Sequence, residues 1–126
     1  MQADLSFDGK YLVTCGVAGR SDIWDAASAK YLRTLDPSTD SESIVGIEYG
    51  TFSPDSLRIL FVGNFGLQLW DFANGTKIWE LEYMLVPDDS TYRARARFSR
   101  DGRQFAAVRP RPDGRGNEIA IYGYHD

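Results

Sequence analysis

One short turn, written three times at nearly constant spacing, constrains this chain more than any other feature. Leu5-Ser6-Phe7-Asp8-Gly9, Phe52-Ser53-Pro54-Asp55-Ser56 and Phe98-Ser99-Arg100-Asp101-Gly102 align, with their aspartates 47 and 46 residues apart. Aspartate suits a tight reversal because its carboxylate can bond nearby backbone, and glycine tolerates positive φ. A turn recurring at such a period marks a repeated supersecondary unit whose copies stack on their neighbours.

Each turn is followed by a β-rich run: Tyr11 to Cys15, Arg58 to Val62 and Gln104 to Val108. A second run follows, Ser21-Asp22-Ile23-Trp24-Asp25, Leu67-Gln68-Leu69-Trp70-Asp71 and Ile119-Ala120-Ile121-Tyr122-Gly123, reached through Gly16-Val17-Ala18-Gly19 in the first unit and Gly63-Asn64-Phe65-Gly66 in the second. This order of runs and turn-formers reads as hairpins. Outer strands are expected at Lys30 to Leu35 and Lys77 to Leu81, the latter after the strong turn signal Asn74-Gly75. Inner strands are expected at Ala3 to Leu5, within Ile44 to Phe52, and at Tyr92 to Phe98. The result is an all-β chain of three antiparallel units, about 1–36, 44–84 and 91–126, with four, four and three strands, the last lacking its outer strand. No segment carries helical periodicity, and the loops from Asp36 to Ser43 and from Val86 to Thr91 are rich in Asp, Ser, Thr and Pro.

The Asp turns, together with the strand-ending pairs Trp24-Asp25 and Trp70-Asp71 at matching places in the repeat, resemble the WD-repeat family of β-propellers over nearly the whole chain. The resemblance implies blades sandwiched between neighbours, with both faces apolar. Ile23, Leu69 and Ile121 would supply one face of the third strand, and Trp24, Trp70 and Tyr122 the other. The chain also departs from the family pattern. No His precedes an inner strand, Ala18 and Asn64 stand where an Asp would bond across to the Trp, and the third unit lacks Trp-Asp. Arg109 to Gly116 reads as an enlarged turn in that unit, and the blades are expected to rely on apolar packing. The stretch from Trp70 to Trp79 also looks like the Asp…Thr-Gly-Lys…Trp docking motif of quinoprotein-type propellers, in which Trp seals neighbouring blades.

Propellers have about four to eight blades, so three units predict an open array. Such an array would be a piece of a larger propeller, or would complete one by associating with copies of itself or with another protein. Exposed strand edges and apolar faces at both ends motivate that expectation.

Little in the sequence points to catalysis, a cofactor or a metal. A Ser-His-Asp or Cys-His arrangement needs a histidine base, and the single one, His125, is next to the last residue. Cys15, the single cysteine, excludes an internal disulfide and a cysteine zinc cage; within Tyr11-Leu12-Val13-Thr14-Cys15 it reads as a small core residue. Asp88-Asp89 and the acidic stretch from Asp36 to Glu42 lack the spacing of a calcium loop. Asn74-Gly75-Thr76 fits a glycosylation triplet but is accounted for as a turn. The Gly-rich stretches join strands, whereas phosphate-binding loops open helices.

No apolar run reaches the roughly 20 residues that cross a bilayer, and the first residues lack a basic and then apolar leader pattern, so the expected compartment is cytoplasm or nucleus. The net charge of −4 argues against broad nucleic-acid affinity, and no aromatics interleave with the arginines as in single-strand binders. The charge is unevenly spread: 93–115 carries eight Arg against Asp101 and Asp113, a local +6, while the first 92 residues sum to −8. One reading pairs these Arg with Glu48, Glu80 or Glu82 of the preceding unit. The other makes Arg93, Arg95, Arg97, Arg109, Arg111 and Arg115 a basic patch for an acidic or phosphorylated protein segment. The expected function is a non-enzymatic protein-interaction scaffold presenting loops and blade rims to partners. The alternative is part of an enzyme propeller of quinoprotein or other type.

Overall fold

The computed structural model describes residues 2–15, 20–36, 47–63, 66–82 and 96–123. Every helix or strand assigned among them is a strand, in three antiparallel sheets. Sheet 1 is β1 (Gln2–Leu5), β2 (Tyr11–Cys15), β3 (Ser21–Asp25) and β4 (Tyr31–Leu35), in that spatial order. Sheet 2 repeats the order with β5 (Ile47–Phe52), β6 (Arg58–Gly63), β7 (Gly66–Asp71) and β8 (Thr76–Glu82). Sheet 3 holds β9 (Ala96–Phe98), β10 (Gln104–Pro110) and β11 (Asn117–Gly123). The expected division into four, four and three antiparallel strands is thus present. The linkers Gly16 to Gly19 and Asn64-Phe65, and the residues Arg93, Arg95 and His125, lie outside the described residues, as do both Asp/Ser-rich loops apart from Asp36.

Sheet 2 is the middle layer, and strand alternation shows how. On β6, Ile59 and Phe61 join Val13, Cys15, Ile23 and Leu35 of sheet 1 in one core. Their neighbours Leu60 and Val62 point the other way and join Ala96, Phe105 and Ala107 of sheet 3, with Leu67 and Leu69 of β7. All four β6 residues are fully buried. A strand covered on both faces must be apolar at successive positions, which explains why Ile59-Leu60-Phe61-Val62 runs without a polar residue.

The repeat extends to irregularities. In sheet 1 the β3–β4 register slips between Ile23 and Trp24, leaving Leu32 without an opposite residue. In sheet 2 the β7–β8 register slips between Leu69 and Trp70, leaving Ile78 in the equivalent place. The two bulges account for the exposure of Leu32 and Ile78 on otherwise regular outer strands.

The expected face assignment holds for Ile23 and Leu69, both buried between sheets. Ile121 lies on the corresponding face of sheet 3 but is 70% exposed, because no sheet among the described residues covers it. The expected turn from Arg109 to Gly116 is shorter: Arg109 and Pro110 continue β10 and only 111–116 turns.

Candidate functional site

The three Asp turns share one geometry. The amide of Ser6 donates to the Tyr11 carbonyl and that of Gly9 to the Ser6 carbonyl; Ser53, Ser56 and Arg58 repeat this, as do Ser99, Gly102 and Gln104. The Ser hydroxyl donates to Asp Oδ1 at 2.6 Å from Ser6, 2.5 Å from Ser53 and 2.6 Å from Ser99. The same carboxylate accepts the amide two residues on, from Lys10 (3.0 Å), Leu57 (2.9 Å) and Arg103 (3.0 Å). Asp8 and Asp101 are held below the ordinary aspartate range, first by the Ser hydroxyl and then by the amide. These carboxylates therefore brace turns in their ionised form.

A fourth copy went unrecognised in the sequence. Arg111-Pro112-Asp113-Gly114-Arg115-Gly116 makes the same two backbone bonds, and Asp113 accepts the Arg115 amide at 2.9 Å. Its signal was Pro-Asp-Gly, the pattern of Pro54-Asp55-Ser56 with glycine at the positive-φ position. It lies between the second and third strands of its unit, at the opposite end of the sheet, and so falls out of phase with the other three.

The Asp of each Trp-Asp pair is a second brace. Asp25 accepts the Ser28 amide at 2.9 Å, and its carboxyl is lowered by that bond first and the Ser28 hydroxyl second. Asp71 accepts the Asn74 amide at 3.2 Å and its side-chain nitrogen at 2.8 Å. The indoles find partners without any histidine: Trp24 Nε1 donates to Thr14 Oγ1 (3.0 Å) and Trp70 Nε1 to Gln68 Oε1 (2.9 Å). Tyr122 occupies the matching position in sheet 3. Its hydroxyl and Glu118 raise the pKa of Arg109, Tyr122 most, yet the hydroxyl makes no hydrogen bond of good geometry. Ala107 and Ala120 stand where Thr14 and Gln68 serve the tryptophans, and they offer no side-chain acceptor.

The first-to-second-strand turns come together at one rim. The Asp8 amide donates to Ser56 Oγ at 3.2 Å, and a Cβ added to Gly102 would stand 3.5 Å from the Pro54 ring. Phe7 and Leu57 project from this rim, 69% and 59% exposed, and the third turn adds the exposed Arg100 and Arg103. Two clefts open beside them. One, of about 450 Å³, lies between sheets 1 and 2, with Tyr11 and Phe72 in edge contact at 5.0 Å and Asp8, Lys10, Asp55 and Arg58 around them. The other, of about 430 Å³, crosses the three inner strands and is lined by Asp4, Phe7, Thr51, Arg97 and Phe98, among others. An aromatic floor with charged walls can seat an extended peptide and fix its direction.

Of the expected patch, Arg97 falls on β9 and Arg109, Arg111 and Arg115 on the β10–β11 hairpin and its turn, while Arg93 and Arg95 lie outside the described residues. Arg97 lines the inner-strand cleft. Arg109 pairs with Glu118 of its own hairpin at 3.2 Å, Arg111 Nε donates to the Asn117 carbonyl at 3.4 Å, and Arg115 is exposed in the far turn. Glu80, one of the acidic partners expected for these arginines, pairs with Lys77 at 2.9 Å among the described residues. Side chains of Glu48 and Glu82 lie outside the description.

Cys15 is buried against Ser21, and burial pushes its thiol up to about 11. Gly50 explains how the sheets close around it: a Cβ there would stand 2.8 Å from Cys15 Sγ and 3.1 Å from the Phe61 ring. Among the described residues no cluster of three or more His, Cys, Asp or Glu could hold a metal ion, and no helix is long and apolar enough to cross a membrane. No protein-family model matches the chain, and no match is found among curated proteins.

Proposed function

We propose that the chain is a run of blades from a WD-type β-propeller that acts as a protein-interaction scaffold and not as an enzyme. The observation that carries this reading is the stacking of three antiparallel sheets, each with strands in sequential order, through repeat-equivalent faces. A rigid stack of this kind fixes turns in space, and the braced rim with Phe7, Leu57, Arg100 and Arg103 offers an apolar and then a basic contact surface. An acidic or phosphorylated segment with a neighbouring apolar side chain complements it. The cytoplasm or nucleus suits such a scaffold.

The quinoprotein-type reading has one observation in its favour. Trp79 lies against sheet 3, with ring centroids 5.5 Å from Phe105 and 5.8 Å from Tyr122. The equivalent position in sheet 1 is Arg33, which instead donates from Nη1 to the Phe72 carbonyl at 3.1 Å. A docking tryptophan thus serves one joint of two, and the WD-type reading accounts for more of the chain.

The test is capture of binding partners on the immobilised chain, comparing wild type with Arg100→Glu/Arg103→Glu and with Lys30→Glu as a remote control. Partners retained by wild type and control but lost with the double reversal support the rim. An identical set on all three removes the rim from the proposal.

A further inference from the structure

The positions that make the inter-sheet contacts of sheets 1 and 2 recur, in register, on sheet 3. Val13, Cys15, Ser21 and Ile23 of sheet 1 are at most 2% exposed, and Leu60, Val62, Leu67 and Leu69 of sheet 2 are 0% exposed. Strand register equates them with Ala106, Val108, Ile119 and Ile121. There the two isoleucines are 75% and 70% exposed. Two large aliphatic side chains side by side on an open sheet face mark a surface built to be covered.

What covers the equivalent faces inside the chain is also visible. The face of sheet 1 is met by Ile59, Phe61 and Trp70 of sheet 2, and that of sheet 2 by Phe105, Ala107 and Tyr122 of sheet 3. The same three places on sheet 1 are Leu12, Thr14 and Trp24. They lie on its outer face, where Trp24 meets the 52% exposed Tyr31 edge-on at 5.8 Å. The chain therefore carries both halves of its own repeat joint, one at each end of the stack.

We propose that a second copy of this chain covers the open face of sheet 3 with the outer face of its sheet 1, a head-to-tail joint repeating the contact between sheets 1 and 2. The inference rests on the stacked-blade reading above. Two copies so joined stack six sheets, within the about four to eight blades that close a ring, and a heterologous joint either closes or continues.

Sedimentation of the full chain tests this, alone and as the variants Ile121→Asp and Tyr31→Asp, whose side chains already face solvent. The wild type is expected at twice the monomer mass or more. Each variant alone is expected as a monomer, and an equimolar mixture of the two regains a 1:1 dimer, because each retains one intact face. A dimer of either variant alone means a like-with-like joint and overturns the proposal, as does a mixture that stays monomeric or a monomeric wild type. Hydrogen exchange on the same wild-type sample separates this failure from that of the underlying reading. A monomer with strongly protected β6 and β7 amides leaves the stack standing without the joint, whereas unprotected β6 and β7 amides remove both.

Discussion

Ser56 concentrates two opposing effects in one residue. Its φ of 62° lies in the left-handed region where the equivalent residues are Gly9 and Gly102, so its Cβ costs about 1 kcal/mol there. Its buried hydroxyl accepts the Asp8 amide from the neighbouring sheet, worth about 1 kcal/mol. Ser56→Ala loses the bond and keeps the strain, so it should cost about 1 kcal/mol. Ser56→Gly loses the bond but relieves the strain, and should come out near neutral. Urea denaturation of the two variants measures the difference, and equal costs would contradict it.

The carboxylates at Asp8, Asp25 and Asp101 give a pH dependence of known sign. Their folded pKa values are lowered, so the unfolded chain binds more protons in acid. The stability they supply is complete above the ordinary aspartate range and is lost as pH falls through the folded values. The melting temperature should accordingly drop on acidification below that range, and Asp101→Asn should flatten this acid limb. At this scale the turns were legible in the sequence because Asp and Gly encode local backbone geometry. The fates of the arginines were not, since a guanidinium's partner depends on which strand faces it: Arg109 found Glu118 through a hairpin register that composition does not reveal.

Among the elements, β6 and β8 show what alternation can and cannot say. The unbroken apolar run Ile59-Leu60-Phe61-Val62 announces a strand covered on both faces, and it is. The outer strand β8 gives no such signal, yet Trp79 is the main aromatic of the joint to sheet 3. Trp79→Ala should cost about 2–4 kcal/mol, somewhat under the usual loss for a fully buried tryptophan because Trp79 is only partly buried. It should act on one joint: amide exchange in β10 and β11 should quicken while β2 and β3 keep their protection. Uniform acceleration across the three sheets would show that the joints do not open separately. The paired bulges at Leu32 and Ile78 were not legible beforehand, because a bulge is a mismatch between two strands and neither strand carries it alone.

At the scale of the molecule, the repeat is a translation of one interface. Sheet 1 offers sheet 2 the same face that sheet 2 offers sheet 3, and polar links run alongside the packing, such as Phe52 N–H to Asp4 Oδ2 at 3.0 Å. That succession was readable from turn spacing and from the Trp-Asp places, because both recur at fixed positions within each unit. The central claim is that sheet 2 is sandwiched, with Tyr11 of sheet 1 on Phe72 at 5.0 Å and Phe105 of sheet 3 on Trp79 at 5.5 Å. Ring-to-ring nuclear Overhauser measurement on the intact chain tests it most directly. Cross-peaks for both pairs, together with Ile59 contacts to Val13 or Ile23 and Leu60 contacts to Phe105 or Ala107, are the predicted result. Ile59 and Leu60 reporting the same neighbouring sheet, or cross-peaks at neither aromatic pair, would contradict it.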